Sequence, residues 1–255
     1  MPNISHSIVI YSGLKYNCFM KKNELDIAVI PFENLVLFPS ACVPLYIFDP
    51  IYIKLIDDCI KNSRKVALAL SDPIIDQAGK TQPGVLKPRK ITGFGEVILL
   101  KEYPDQSKYV LLKGEGKAEL KEPTQTYPYL ICKSKILETN DNASKNLSNS
   151  FEPKKMLRLR EILDYWINQH FPDEKQKEFL RKDLQTSESV LDYLSTFLIQ
   201  DKDIKQILLE NGSIQEKIQL ISLLFHHKNP INEDHFTAEI IKSFEFTDST
   251  VGNYC

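Results

Sequence analysis

Residues 30–52 read Ile30-Pro31-Phe32-Glu33-Asn34-Leu35-Val36-Leu37-Phe38-Pro39-Ser40-Ala41-Cys42-Val43-Pro44-Leu45-Tyr46-Ile47-Phe48-Asp49-Pro50-Ile51-Tyr52, and this order predicts strand, turn, strand and helix start. Leu35 to Phe38 is short, apolar and partly β-branched. Pro39 breaks it because proline cannot donate to a central ladder, and Val43 to Phe48 resumes extended structure. Asp49 then supplies an N-cap, since its carboxylate can accept from the orphan N–H groups of a first turn. Pro50 suits the first helical position, where a missing N–H costs nothing. Tyr52, Leu55, Ile56, Cys59 and Ile60 follow at helical spacing.

Outward from this stretch, Ile27 to Leu137 is mostly of β character. Val66, Leu68 and Leu70 alternate with Ala67 and Ala69, Phe94 to Leu100 is a dense strand, and Tyr109 to Leu112 pairs naturally with it. The connection Tyr103-Pro104-Asp105-Gln106-Ser107 places Pro and Asp as a type I turn would, which predicts a hairpin. Ser71 to Arg89 is polar and carries Pro73, Gly79, Pro83, Gly84 and Pro88, so a long surface loop is expected there.

The pieces Leu37-Phe38-Pro39-Ser40 and Pro44-Leu45-Tyr46-Ile47-Phe48-Asp49-Pro50-Ile51-Tyr52 resemble the signature of the Lon N-terminal substrate-binding domain. Its usual form is a Leu-Phe-Pro turn followed by Pro-Leu-x-Ile-Phe-Glu-Pro-Arg-Tyr. Ser40 stands where the family commonly has Gly, which could shift the turn, and Ile51 stands where it commonly has Arg, which removes a charge. Thr92-Gly93-Phe94-Gly95-Glu96-Val97 and the run from Leu111 to Leu120, Gly114 included, look like later strand pairs of the same family. The resemblance spans residues 26 to 226. Pro39, Pro44, Asp49, Pro50 and Gly114 are its signature positions, mainly structural in character. It implies an α+β fold: a PUA-like, mostly antiparallel β-barrel with one capped helix, then an all-α subdomain.

A division of the chain follows. Residues 1–25 form an extension, with translation from Met20 as an alternative start, 26–137 the β domain, 138–152 a linker, 153–227 a helical bundle and 228–255 a polar tail. The linker is rich in Asn and Ser. Beyond it Met156, Leu159, Leu163, Trp166 and Ile167 recur at helical spacing. Phe179, Leu180 and Leu184 mark a second helix, Val190 to Leu198 a third, and Ile204, Ile207 and Leu208 a short fourth. Ser213 and Glu216 predict a capping box for the last helix, which carries Ile214, Ile218, Ile221 and Phe225.

Composition narrows the function. Lys+Arg 32 against Asp+Glu 34 gives a formal charge of −2 over 255 residues, so the chain as a whole has no pull on nucleic acid or anionic lipid. No apolar run reaches the length of a membrane span. Five widely spaced cysteines form no Cys-x-x-Cys pair, which suits a reducing cytoplasm and free thiols, with Cys42 and Cys59 as small core residues.

The search for catalytic apparatus returns little. Gly79-Lys80-Thr81 lacks the earlier glycine of a phosphate-binding loop, since residue 75 is Ile75, and Gly93-Phe94-Gly95 lacks the third glycine of a dinucleotide site. His226 and His227 are neighbours on a helix, pointing about 100° apart, so they do not share a metal. They and His170 suit helix C-termini, where positive charge is favourable. Asp57 and Asp58 are likewise adjacent and read as a solvated rim. Of two basic clusters, Lys154-Lys155 with Arg158 and Arg160 reads as the wet face of a helix, and Lys87-Pro88-Arg89-Lys90 falls in a loop with no nearby stacking aromatic.

The resemblance implies a stand-alone, non-catalytic domain without cofactor or metal, lacking the ATPase and protease modules of Lon. Its expected partner is unfolded or apolar polypeptide, held for a protease or chaperone as a proteolysis adaptor would hold it. Either a groove between the β and helical parts or an open sheet edge would suit such a ligand. Phe38, Leu45, Tyr46, Phe48 and Tyr52 are the candidate binding residues. RNA binding is the alternative, because PUA-like folds elsewhere bind RNA, and a small-molecule enzyme is the third reading.

Overall fold

A computed structural model describes residues 23–75, 81–138, 153–171 and 173–227. Seven strands come first, interrupted by one helix: β1 Glu24–Phe32, β2 Cys42–Ile47, α1 Pro50–Asn62, β3 Val66–Ile75, β4 Thr81–Pro88, β5 Ile91–Glu102, β6 Lys108–Gln125 and β7 Ile131–Leu137. Five helices follow: α2 Pro153–His170, α3 Glu174–Asp183, α4 Ser187–Phe197, α5 Lys202–Glu210 and α6 Ile214–His227. The α+β class and the change of character after residue 137 match the expectation.

The strand pairings close on themselves. β1 pairs with β7, β7 with β6, β6 with β5, β5 with β3, and β3 returns to β1. All are antiparallel except β1 with β3, which are parallel and joined through α1, as parallel neighbours need a long crossover. Ile27, Val29, Ala67, Ala69, Phe94, Ala118, Leu120 and Cys132 form one buried cluster drawn from all five strands of this circuit. Many of them are small, as a narrow interior requires. The alternate residues of β1 and β3, including Ala28, Ile30, Val66 and Leu68, point the other way. They pack with Leu55, Ile56 and Cys59 of α1 and with Val43, Leu45, Ile47, Val110 and Leu112 of β2 and β6. Asp49 caps α1 as expected, its Oδ1 accepting from Ile51 N at 2.8 Å.

Four expectations are corrected. Leu35 to Phe38 is not a strand, although the run is apolar. It lies between two cores, with Leu37 packed among the strands and α1 and Phe38 among the helices. A Cβ on Gly93 would stand 1.8 Å from the Leu37 carbonyl oxygen, and one on Gly114 would stand 2.0 Å from that of Phe38, so the segment crosses directly over bare strand backbone. Second, the 71–89 loop is largely ladder: β3 and β4 pair from Ser71↔Pro88 to Ile75↔Thr81, because Pro83 and Pro88 fall in the outermost strand and Pro73 lies in the part of β3 beyond its pairings with β1 and β5. Third, the strands begin before residue 26, since Glu24 and Leu25 already pair with Lys135 and Ser134. Fourth, the Ser213 capping box is only half formed. Ser213 Oγ accepts from Glu216 N at 3.3 Å, but Glu216 Oε2 accepts from Asn211, and Ser213 N donates to Asn211 Oδ1. A full box forms instead at Thr186 and Ser189.

The helices do not make a separate bundle. Val36, Phe38, Ala41 and Leu70 of the strand half share one buried core with Leu159, Leu163, Trp166, Leu191, Leu194 and Phe197. The interior of the boundary between the halves is therefore filled with side chains. Polar ties reinforce the boundary. Arg89 bridges Asp72 and Asp203, Gln206 donates to the Ile91 carbonyl at 2.8 Å, and Lys117 Nζ donates to the Leu209 carbonyl at 3.1 Å, at the end of α5. The expected 138–152 linker beyond Glu138, and the tail from residue 228, lie outside the described residues.

Candidate functional site

The signature stretch plays two parts. Its first half is an anchor: Ala41 N donates to the Phe38 carbonyl at 3.1 Å, closing a turn with Pro39 at its second position, and Ser40 N donates to Asp192 Oδ2 of α4 at 3.1 Å. Ser40 is not among the described non-glycine residues with positive φ, which are Ser63 and Gln106, so its backbone does not require glycine here. Its second half is β2, which pairs with β6 alone.

Register then decides which side chains share a face. Opposite residues place Pro44, Leu111 and Ile98 in one row across β2, β6 and β5. Tyr46, Tyr109 and Lys101 make the next row. The alternate residues Val43, Leu45, Val110 and Leu112 face the core. These two rows make the outer face of the three strands apolar and aromatic around Tyr46, and the next row, Cys42, Lys113 and Glu96, adds charge. Tyr46 is 51% exposed and Phe48 72%. The two rings stand 6.1 Å apart, Tyr103 meets Tyr46 edge-on at 5.8 Å, and the Lys101 ammonium sits 4.8 Å from the Tyr103 ring centre.

This face is held rigid from below. Ser107 Oγ donates to Asp105 Oδ1 at 2.6 Å, which uses its proton, so the Tyr46 hydroxyl donates to Ser107 Oγ at 2.8 Å. These hydrogen bonds from Ser107, side chain first, hold the Asp105 carboxyl below its usual range. Gln106, at φ 68°, completes the expected hairpin turn. Buried Lys108 lies between Asp57 of α1 at 3.1 Å and Glu102 of β5 at 3.0 Å. Burial alone would lower its pKa, but the two carboxylates raise it overall.

The five candidate residues divide. Tyr46 and Phe48 belong to the exposed face. Phe38 and Leu45 are buried and present nothing to a partner, and Tyr52 is half-buried against the α1 core. The sequence reading missed Tyr103, Tyr109, Leu111, Ile98 and Lys101. The predicted hairpin was the available signal, but an extra residue at Leu100 shifts the register between Leu99 and Lys101, and that bulge reverses the parity.

The edge of β2 is open only in part. Gly114 N donates to the Ala41 carbonyl, so by the period of two Val43, Leu45 and Ile47 turn their backbone groups toward β6. Cys42, Pro44 and Tyr46 turn theirs outward. Pro44, without an N–H, blunts that edge at its middle. Other candidates resolve into structure. Asp57 and Asp58 are not a free rim, since Asp58 accepts from the Tyr129 hydroxyl at 2.8 Å. His170 is buried, stacked on Trp166, with Nδ1 2.9 Å from the Trp166 carbonyl. The His226 and His227 side chains lie outside the described residues. Arg160 donates to the Leu184 carbonyl. No group of three His, Cys, Asp or Glu able to hold a metal occurs among the described residues, and none of their helices is long and apolar enough to cross a membrane.

Residues 26–227 match the family described as the ATP-dependent protease La (LON) substrate-binding domain. The chain belongs to this family. Among curated relatives, a Lon protease of Parabacteroides distasonis is 30% identical over 113 residues, covering 44% of this chain and 13% of that protein. A Lon protease of Buchnera aphidicola is 21% identical over 211 residues, covering 79% of this chain and 25% of the relative. The chain thus spans a quarter or less of the length of these two relatives. The N-terminal domain of the Mycobacterium avium complex Lon protease superposes with a TM-score of 0.52 at 10% identity, covering 80% of this chain and 98% of that one, which shows the shared fold.

Proposed function

We propose that this Lon substrate-binding domain protein is a non-catalytic polypeptide-binding module. It takes exposed apolar segments of unfolded protein on the outer face of β2, β6 and β5, within cytoplasmic quality control, for transfer to a protease or chaperone. The observation that carries this reading is the aromatic face itself. Tyr46 of β2 and Phe48 just beyond it remain largely in water although β2 buries its alternate residues Val43, Leu45 and Ile47 in a core. Exposed apolar patches of this kind mark interaction sites. The packed interior of the boundary and Pro44 on the edge of β2 favour a ligand on the face, where side-chain contacts rather than an added strand would give the affinity.

The RNA reading has less support. Arg89, the centre of the loop cluster, is committed to Asp72 and Asp203, and its guanidinium pKa is raised by those carboxylates, Asp72 first. The test uses a fluorescently labelled, carboxymethylated and permanently unfolded polypeptide. Binding should survive high salt, because apolar burial is not screened, and Phe48→Ala and Tyr46→Ala should each weaken it about 5- to 30-fold, as aromatic anchors do at interfaces. Unchanged affinity in both variants, or affinity that collapses with salt while an RNA oligomer competes, would reject the reading.

A further inference from the structure

The boundary between strands and helices is mostly apolar, yet a carboxylate lies inside it. Asp192 of α4 is 1% exposed. Its Oδ2 accepts the Ser40 backbone N–H, while its Oδ1 has no hydrogen-bond partner among the described residues. Lys217 Nζ of α6 stands 3.8 Å from Oδ1, beyond hydrogen-bond reach. Lys117 of β6 also faces this carboxylate and Lys217, but it directs its hydrogen bonds to the Leu209 and Asn211 carbonyls at the C-terminal end of α5. Glu188, on the same helix as Asp192, adds negative charge. Asp192 is therefore met by the signature turn, by a cation from α6, by a cation from β6 and by an anion of its own helix.

We propose that Asp192 is a proton-operated latch, fastening the helical half to the Ser40 turn more firmly when its carboxyl is neutral than when it is ionised. A buried anion with one oxygen unpaired is costly, and a distant ammonium offsets only part of that cost. Burial is the largest influence on this carboxyl and pushes its pKa up to about 6, against the opposing effects of Lys217 and the Ser40 amide. The folded value lies above the ordinary 3.8, so the docked state binds more protons between the two values. The latch's contribution is complete below the ordinary value and is lost as pH rises through about 6. Ser40 leads directly into β2, so the latch adjoins the strand that bears Tyr46.

NMR of the full chain tests this by following the Asp192 carboxyl carbon and the Ser40 amide through a pH titration. Both should report one midpoint near 6, and Asp192→Asn should abolish the Ser40 transition. After correction for intrinsic exchange, Ser40 amide protection should be about tenfold greater at pH 5 than at pH 7, the ratio that linkage gives for this window. Lys217→Met should raise the midpoint, and this variant carries the test if Asp192→Asn does not fold. A carboxyl midpoint near 4, a Ser40 transition that survives in Asp192→Asn, protection that fails to rise in acid, or a midpoint that Lys217→Met leaves unchanged or lowers would overturn the proposal.

Discussion

Gly114→Ala tests whether the signature segment is fixed by backbone contact. The added Cβ would stand 2.0 Å from the Phe38 carbonyl oxygen and 3.0 Å from that of Ala41. Relief requires the 38–41 turn to lift off β6, which stretches the 2.9 Å hydrogen bond from Gly114 N to the Ala41 carbonyl. It also moves Phe38, a fully buried ring in the shared core. Overpacking of this kind costs about 1–3 kcal/mol. The weakened hydrogen bond adds about 1 kcal/mol. The sum of about 2–4 kcal/mol is a large part of the roughly 5–15 kcal/mol that holds a typical protein folded. At about 2–4 °C per kcal/mol for a domain of this size, Tm should fall by about 10 °C. Urea and thermal unfolding followed by circular dichroism measure both quantities. Gly212→Ala is the control, because nothing lies within 4 Å of its added Cβ, and it should stay within about 0.5 kcal/mol of the wild type. If Gly114→Ala unfolds like this control, close approach is not what positions the segment.

Asp49→Ala should lower stability by about 1 kcal/mol in urea titrations, because Ile51 N loses its acceptor; no change would mean that water serves the helix end equally well. Burial pushes the Cys42 and Cys59 thiols up to about 11. Site-resolved mass spectrometry at mildly alkaline pH should therefore find them alkylated about a hundredfold more slowly in the native protein than in urea; equal rates would contradict the burial. The same shift makes their contribution to stability decline as pH climbs from the ordinary 9.0 through about 11, since the folded state holds its proton longer. Phe48→Ala should leave unfolding within about 0.5 kcal/mol of the wild type while it weakens polypeptide binding, which separates a surface role from a structural one.

The legible parts of the sequence were those whose signal is local. Asp49-Pro50 announced a helix start because capping depends on residues two apart, and the hairpin at Pro104-Asp105 was readable for the same reason. The apolar run Leu35 to Phe38 misled because composition reports burial, not the partner. Its residues are buried as their character demands, but in a seam between two cores that no local pattern encodes. Among the candidate residues, Phe38, Leu45, Tyr46 and Phe48 are chemically alike and a few positions apart. Exposure separated them only through strand parity and through what stands on either side.

The sequence by itself pointed to the family through the resemblance of its signature stretch, and it determined the order of strands before helices and the capped α1, which follow from short-range sterics and hydrogen bonding. Tertiary structure decided the rest: the closed circuit, the filled boundary, the buried Asp192 beneath Ser40, and the aromatic face. Each depends on register between distant segments, and one bulged residue at Leu100 is enough to change which side chains meet. Pairing across the sheet is a long-range property, so the face that carries the proposed function exists only once β2, β6 and β5 have been set side by side.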